Sequence, residues 1–160
     1  MKKIFGSTLT ALLLVIVLAS TVFAAPAAGE RQLLLKGSLQ TAETQQVVFP
    51  TIFVNGTGSG NATKLGLYTI NYHAQLNILN LSSTVSATLV AADGSSLFGV
   101  GTGQGTPTAT PGIVSIVETY TITGGTSRFA GAAGNFTVER VINRATLLTS
   151  GTISGTILLP

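Results

Sequence analysis

Residues 118–134, ETYTITGGTSRFAGAAG, decide the fold of this chain. Going into this stretch, Val114, Ile116, Glu118, Tyr120 and Ile122 share one parity, and Ser115, Thr119, Thr121 and Thr123 share the other. Period-two alternation of this kind predicts a strand with one apolar face. Gly124 and Gly125 then end the strand, since residues without Cβ take positive φ at low cost. Phe129 plugs the turn, Gly131 and Gly134 follow, and residues 135–143 alternate again with Phe136, Val138 and Ile142 on one face. The segment reads as strand, turn, strand, with the hairpin centred on Phe129 and therefore Glu118 opposite Arg140.

Outward from this unit the same signals recur. Eight strands are predicted, at residues 31–40, 47–58, 64–79, 84–92, 95–105, 112–123, 133–143 and 147–159, with turn chemistry between them such as Asp93-Gly94 and the Pro107 to Pro111 loop. Short joins imply antiparallel neighbours, and eight such strands can close into a barrel without free edges. The predicted class is all-β, an eight-stranded antiparallel closed β-barrel over residues 31–160. In the third strand Tyr68, Ile70, Tyr72, Ala74, Leu76 and Ile78 would line the lumen, with Thr69, Asn71, His73, Gln75 and Asn77 outside. Gly99, Gly101 and Gly103 would let the fifth strand coil sharply and leave room in the lumen.

Residues 1–24 read as a signal peptide: Lys2 and Lys3, an apolar run over residues 9–18, then small residues with cleavage expected after Ala24. The run is shorter than the ~20 apolar residues that span a bilayer, so no stable membrane anchor is expected after cleavage. Residues 25–30 are a short linker. A secreted or periplasmic, bacterial protein is the expected setting. Beyond the signal, six basic residues face five acidic ones, a net charge of +1. Without a basic cluster, nucleic acid is not an expected partner. There is no cysteine to lipidate or to staple the fold.

His73 is the only histidine and falls on the outer parity, with no cysteine or second histidine to join it, so it is read as a surface residue and neither a Ser-His-Asp triad nor a zinc site is expected around it. No metal or cofactor is expected. The glycine-rich runs 56–60 and 99–105 lack the following helix that a phosphate loop needs. Asn55, Asn61, Asn80 and Asn135 head glycosylation sequons that matter only where the source glycosylates. Glu118 and Arg140 are the candidate catalytic pair. They read either as a structural ion pair in the barrel wall or as an acid/base or polar anchor in a ligand pocket, with Tyr68, Tyr72 and Tyr120 as candidate ligand-binding residues.

The turn segment, Gly124, Gly125, Phe129, Gly131 and Gly134 included, resembles the signature of the allene oxide cyclase and dirigent families, and a looser similarity of feature order runs over residues 61–160. The resemblance implies an eight-stranded barrel, often trimeric, whose lumen binds a small hydrophobic molecule. Relatives in that superfamily act as cofactor-free cyclases or isomerases or steer radical coupling. Glu43 and Pro50 find no matching spacing to the family's catalytic glutamate and proline, so the resemblance assigns them no role. The resulting expectation is an exported barrel that binds a small hydrophobic ligand, with cyclase or isomerase activity attached to that reading. The alternative is a non-catalytic secreted structural or surface-interaction barrel with a plugged lumen.

Overall fold

The computed structural model describes residues 29–160; the signal-peptide reading and most of the linker lie outside them. Eight strands run in chain order: β1 (Arg31–Val48), β2 (Thr51–Ala62), β3 (Gly66–Asn77), β4 (Ser82–Ala91), β5 (Ser96–Pro107), β6 (Ile113–Gly125), β7 (Ala133–Asn143) and β8 (Leu148–Leu159). Each pairs antiparallel with the next, and β8 returns to β1, closing the barrel. Threonine-rich outer faces and aliphatic inner faces make this the arrangement that buries every apolar parity at once.

β1 departs most from the sequence expectation, reaching Val48 instead of stopping at residue 40, and β2 is displaced to Thr51–Ala62. The reason is closure. Residues 31–42 of β1 pair with β8 and residues 37–48 pair with β2, so the strand is long because it is staggered between two neighbours. Phe49 and Pro50, not the polar TAETQQ stretch, make the turn.

The hairpin of β6 and β7 also differs. Glu118 faces Val138 and Ile116 faces Arg140, so the register is centred on Arg128. β6 leaves β7 after Thr121 but stays on β5 as far as Gly125, with a bulge at Phe98/Gly99, and the turn is therefore lopsided. A slip of two residues leaves each side chain on its predicted face, which is why Glu118 and Arg140 still both point inward. Of the turn glycines, Gly124, Gly131 and Gly134 take positive φ, whereas Gly125 does not. Gly125 is needed for space: a methyl there would stand 2.5 Å from the Ser96 carbonyl oxygen and 2.7 Å from that of Phe129. Gly124→Ala is expected to cost about 1–2 kcal/mol through backbone strain and Gly125→Ala about 1–3 kcal/mol through overpacking. Urea unfolding of both variants checks this; equal stability to the parent would refute it.

One end of the barrel is shut. Phe129 of the 3₁₀ turn Ser127–Phe129 is buried in the core, and Arg128 reaches across that end to the Leu65 carbonyl at 3.4 Å and to Asp93 at 3.2 Å. Above it the core is solid, with Leu35, Leu89, Leu97, Phe136, Ile153 and Ile157 fully enclosed. Tyr120 and Phe136 stack with ring centroids 4.5 Å apart.

Glycines determine where the large lumen side chains lie. Tyr72, Tyr68, Tyr120, Phe136 and Arg140 stand opposite Gly56, Gly60, Gly101, Gly155 and Gly151 on the neighbouring strand. A Cβ at Gly56 would collide with the Tyr72 ring, and one at Gly99 would come within 3.1 Å of Phe136 and 3.4 Å of Tyr120. The room expected from the β5 glycines is thus filled by rings from β6 and β7, in the way that aromatic side chains cover strand glycines elsewhere.

Candidate functional site

The inward parity of β1 runs through Leu35, Leu39, Thr41 and Glu43; that of β6 presents Glu118 and Tyr120; β7 presents Arg140; β3 presents Tyr72. These polar groups meet midway up the lumen. The side chains of Arg140, Glu43 and Glu118 are 4%, 2% and 3% exposed. Arg140 donates from Nη2 to Glu118 Oε1 at 2.8 Å and from Nε to Glu118 Oε2 at 3.3 Å. Its Nη1 donates to Glu43 Oε1 and, at 3.0 Å, to the Tyr72 hydroxyl. Gly151 lies between Arg140 on one side and Leu39 on the other, so the guanidinium crosses β8 where there is no side chain and reaches β1. In the same way Gly56, opposite both Tyr72 and Glu43, lets the phenol cross β2 and donate to Glu43 Oε1 at 2.6 Å.

Tyr120 donates to Glu118 Oε2 at 3.1 Å, and Gln45 Nε2 to Glu43 Oε2 at 3.0 Å. Thr41 bonds Thr149 and stands 3.3 Å from the Tyr72 hydroxyl. Among the described residues no buried side-chain nitrogen or oxygen lacks a partner. Burial pushes the Tyr72 and Tyr120 phenols well above the ordinary range, assisted by the charges of Glu43 and Glu118 respectively. Both therefore stay neutral donors. Burial alone would lower the guanidinium's pKa, but Glu118 first, then Tyr72 and Glu43, raise it on balance, and Arg140 is a fixed cation.

Above this cluster the lumen is open. A cavity of about 280 Å³ has Glu43, Glu118 and Arg140 in its lining and otherwise aliphatic walls, among them Ile52, Val54, Leu76, Ile78, Ile116 and Ile142. Pro107, Pro111 and Arg144 line it at the mouth. A larger depression of about 890 Å³ lies over Gln40, Asn61, Leu67 and Thr69 on the outer wall; it is open and holds no charged residue. The lumen cavity is the candidate site, because there charged groups converge on an apolar pocket.

Glu118 and Arg140 are together, as the parity reading required. The tyrosines stand elsewhere than expected of ligand contacts: Tyr72 and Tyr120 sit behind the charges on the core side, and Tyr68 donates to the Ser38 carbonyl at 3.1 Å, its phenol pushed up to about 12 by burial. His73 is exposed on the outer face, its Nδ1 2.6 Å from Asn55 Oδ1. Sequence reasoning missed Glu43, which completes the cluster; residues 41–46 look like a join, and parity is not extended through a join. Among the described residues no group of His, Asp or Glu is placed to hold a metal ion.

No family model, curated protein or solved structure matches the chain. The likeness to allene oxide cyclase and dirigent proteins therefore rests on the turn segment and the looser order of features over residues 61–160, and on nothing else.

Proposed function

We propose that this barrel takes a small, mainly apolar molecule into the open half of its lumen and sets a polar group of that molecule against Glu43, Arg140 and Glu118. The observation that carries the reading is the pairing of an aliphatic cavity with a buried charge cluster at its floor. The cluster holds two carboxylates against one guanidinium. That excess disfavours an anion at the floor and favours a neutral oxygen function that accepts from Arg140 or donates to a glutamate. A carboxylate on the ligand would sit instead at the rim, beside Arg144. At about 280 Å³ the cavity is at the small end of ligand pockets.

The same geometry supports cofactor-free isomerisation or cyclisation, the chemistry implied by the family resemblance. A glutamate oxygen would shuttle a proton, while Arg140 stabilises negative charge developing on the ligand oxygen. Tyr72 and Tyr120 would hold the carboxylates in place. The setting proposed for this chemistry is extracytoplasmic. The rival reading, a plugged structural barrel, is favoured by one observation, the solid packing of the lower lumen around Tyr120 and Phe136.

Two measurements separate these. Ile116 is half-buried on the cavity wall, so Ile116→Trp is expected to fill the space and weaken binding of a fluorescent polyene alcohol at least ~10-fold, with the melting temperature within a few degrees of the parent. Native mass spectrometry of the purified protein is expected to show a retained apolar molecule. No retained molecule, together with no polyene binding by the parent, would leave the plugged barrel as the function. Glu118→Gln is expected to keep binding; if it also keeps full turnover of a ligand so identified, Glu118 is not the proton carrier.

A further inference from the structure

The four loops at the open end share two properties, of which the closed end, itself tied by Thr63 to Lys36, Ala92 to Leu67 and Thr126 to Ser96, has only the first. They are tied in sequence around the rim by backbone hydrogen bonds: Ile78 N–H to the Pro50 carbonyl, Gly105 to Leu81, Arg144 to Gly112, and Glu43 to Leu147, all at 2.9 to 3.0 Å. The mouth is thus a continuous ring. Its tips are also apolar and almost uncharged. Phe49 is 73% exposed and Leu79 71%, with Val48 and Leu148 more than half exposed beside them. Arg144 is the only exposed charged residue on these loops, which otherwise read VVFP, NILNLS, TPTATPG and NRATLL. At the closed end stand Glu30, Arg31, Lys64, Asp93 and Arg128, all exposed.

We infer that the barrel docks mouth-first on an anionic lipid surface, with Phe49 and Leu79 inserted into the headgroup and acyl boundary. Three observations favour a bilayer over a folded partner. The apolar groups sit on the tips of separate loops, not on a flat face, and a fluid surface can mould round such tips where a rigid one cannot. The single charge at this end is positive, which suits anionic headgroups. The apolar cavity opens inside the ring, so docking would bring its entrance against the phase where an apolar ligand dissolves. This last point rests on the reading of the lumen given above; the first two do not.

The chain contains no tryptophan, so one introduced residue reports on one place. In the Phe49→Trp protein, mixed phosphatidylcholine and phosphatidylglycerol vesicles are expected to shift the indole emission to the blue, and brominated acyl chains to quench it. Leu67→Trp, at an exposed position near the closed end, is expected to do neither. Adding Leu79→Ser to the Phe49→Trp protein is expected to weaken vesicle binding about tenfold, since one leucine leaves the interface. Absence of a shift in the Phe49→Trp protein, or equal quenching in the Leu67→Trp protein, would overturn the inference. So would a blue shift of the Phe49→Trp protein that appears without vesicles as its concentration rises, because a second copy would then cover the rim. The cluster of Glu43, Arg140 and Glu118 is untouched in these variants, so loss of docking leaves the lumen reading standing, and loss of polyene binding leaves docking standing.

Discussion

Arg140→Ala is expected to destabilise the barrel by about 4–5 kcal/mol, enough to lower its melting temperature by roughly 10 °C or more. The guanidinium is the only cation between two enclosed carboxylates, and its removal leaves both facing each other's charge without a counterion. Glu118→Ala should cost less, about 1–3 kcal/mol, because Arg140 keeps Glu43 and the remaining pair is neutral. The order is what distinguishes a three-membered cluster from a simple pair. A further step follows from the same count: Arg140→Met combined with Glu43→Gln and Glu118→Gln removes every charge and should recover a large part of the loss, since apolar or neutral replacements of buried ion clusters are often tolerated. Urea unfolding midpoints of the parent and the three variants decide it. Equal losses for Arg140→Ala and Glu118→Ala would refute the shared-cation arrangement.

Gly151→Val should be at least as damaging, costing more than about 4 kcal/mol or preventing folding. The glycine's own φ is not the reason. A Cβ at this position would press on the Glu139 carbonyl oxygen and stand 2.6 Å from Arg140 Cα. Neither atom can retreat without parting β7 from β8, and the new side chain would also occupy the gap through which the guanidinium crosses to β1. Gly94→Asn is the matching control. That position has φ +83° and nothing within 4 Å of a Cβ, and asparagine tolerates the left-handed region, so a loss below about 1 kcal/mol is expected. Circular dichroism and thermal melts of the two variants test the pair. A well-folded Gly151→Val protein would show that the wall can spread, and that the glycines do not set the lumen's contents.

Much of this is legible in sequence because period two is a strong signal when most joins are short. Parity alone puts Tyr68, Ile70, Tyr72 and Ala74 inside and His73 outside, and it puts Glu118 and Arg140 on one inner face even though the expected register between their strands is off by two. Where reading fails, the cause is closure, a property of the whole sheet. A staggered strand that serves two neighbours must be longer than the rest, and nothing local in the TAETQQ stretch announces it; the turn expected there hides Glu43. The glycines mislead for a related reason. A glycine in one strand looks like a coil or a turn until the register shows the large residue beside it. Gly56 opposite Tyr72 and Gly151 opposite Arg140 become interpretable only as pairs.

The closing pairing of β8 on β1 has a consequence for how the chain reaches this structure. Seven of the eight ladders join strands adjacent in sequence, and each can form as a local hairpin. The eighth brings together residues such as Thr41 and Thr149, 108 positions apart along the chain. Loop-closure entropy makes such a step late and slow. Until it occurs, β1 and β8 each present a row of unpaired amides and carbonyls, on strands whose outward residues are mostly serine, threonine, glutamine and leucine, with Lys36 the one outward charge to discourage pairing with another chain. Arg140 to Glu43 and Thr41 to Thr149 both span this junction. The polar groups at the floor of the cavity therefore also act as the clasp of the barrel, and a variant that weakens them should accumulate as an open sheet prone to associate through its two free edges before any change in the finished protein is measured.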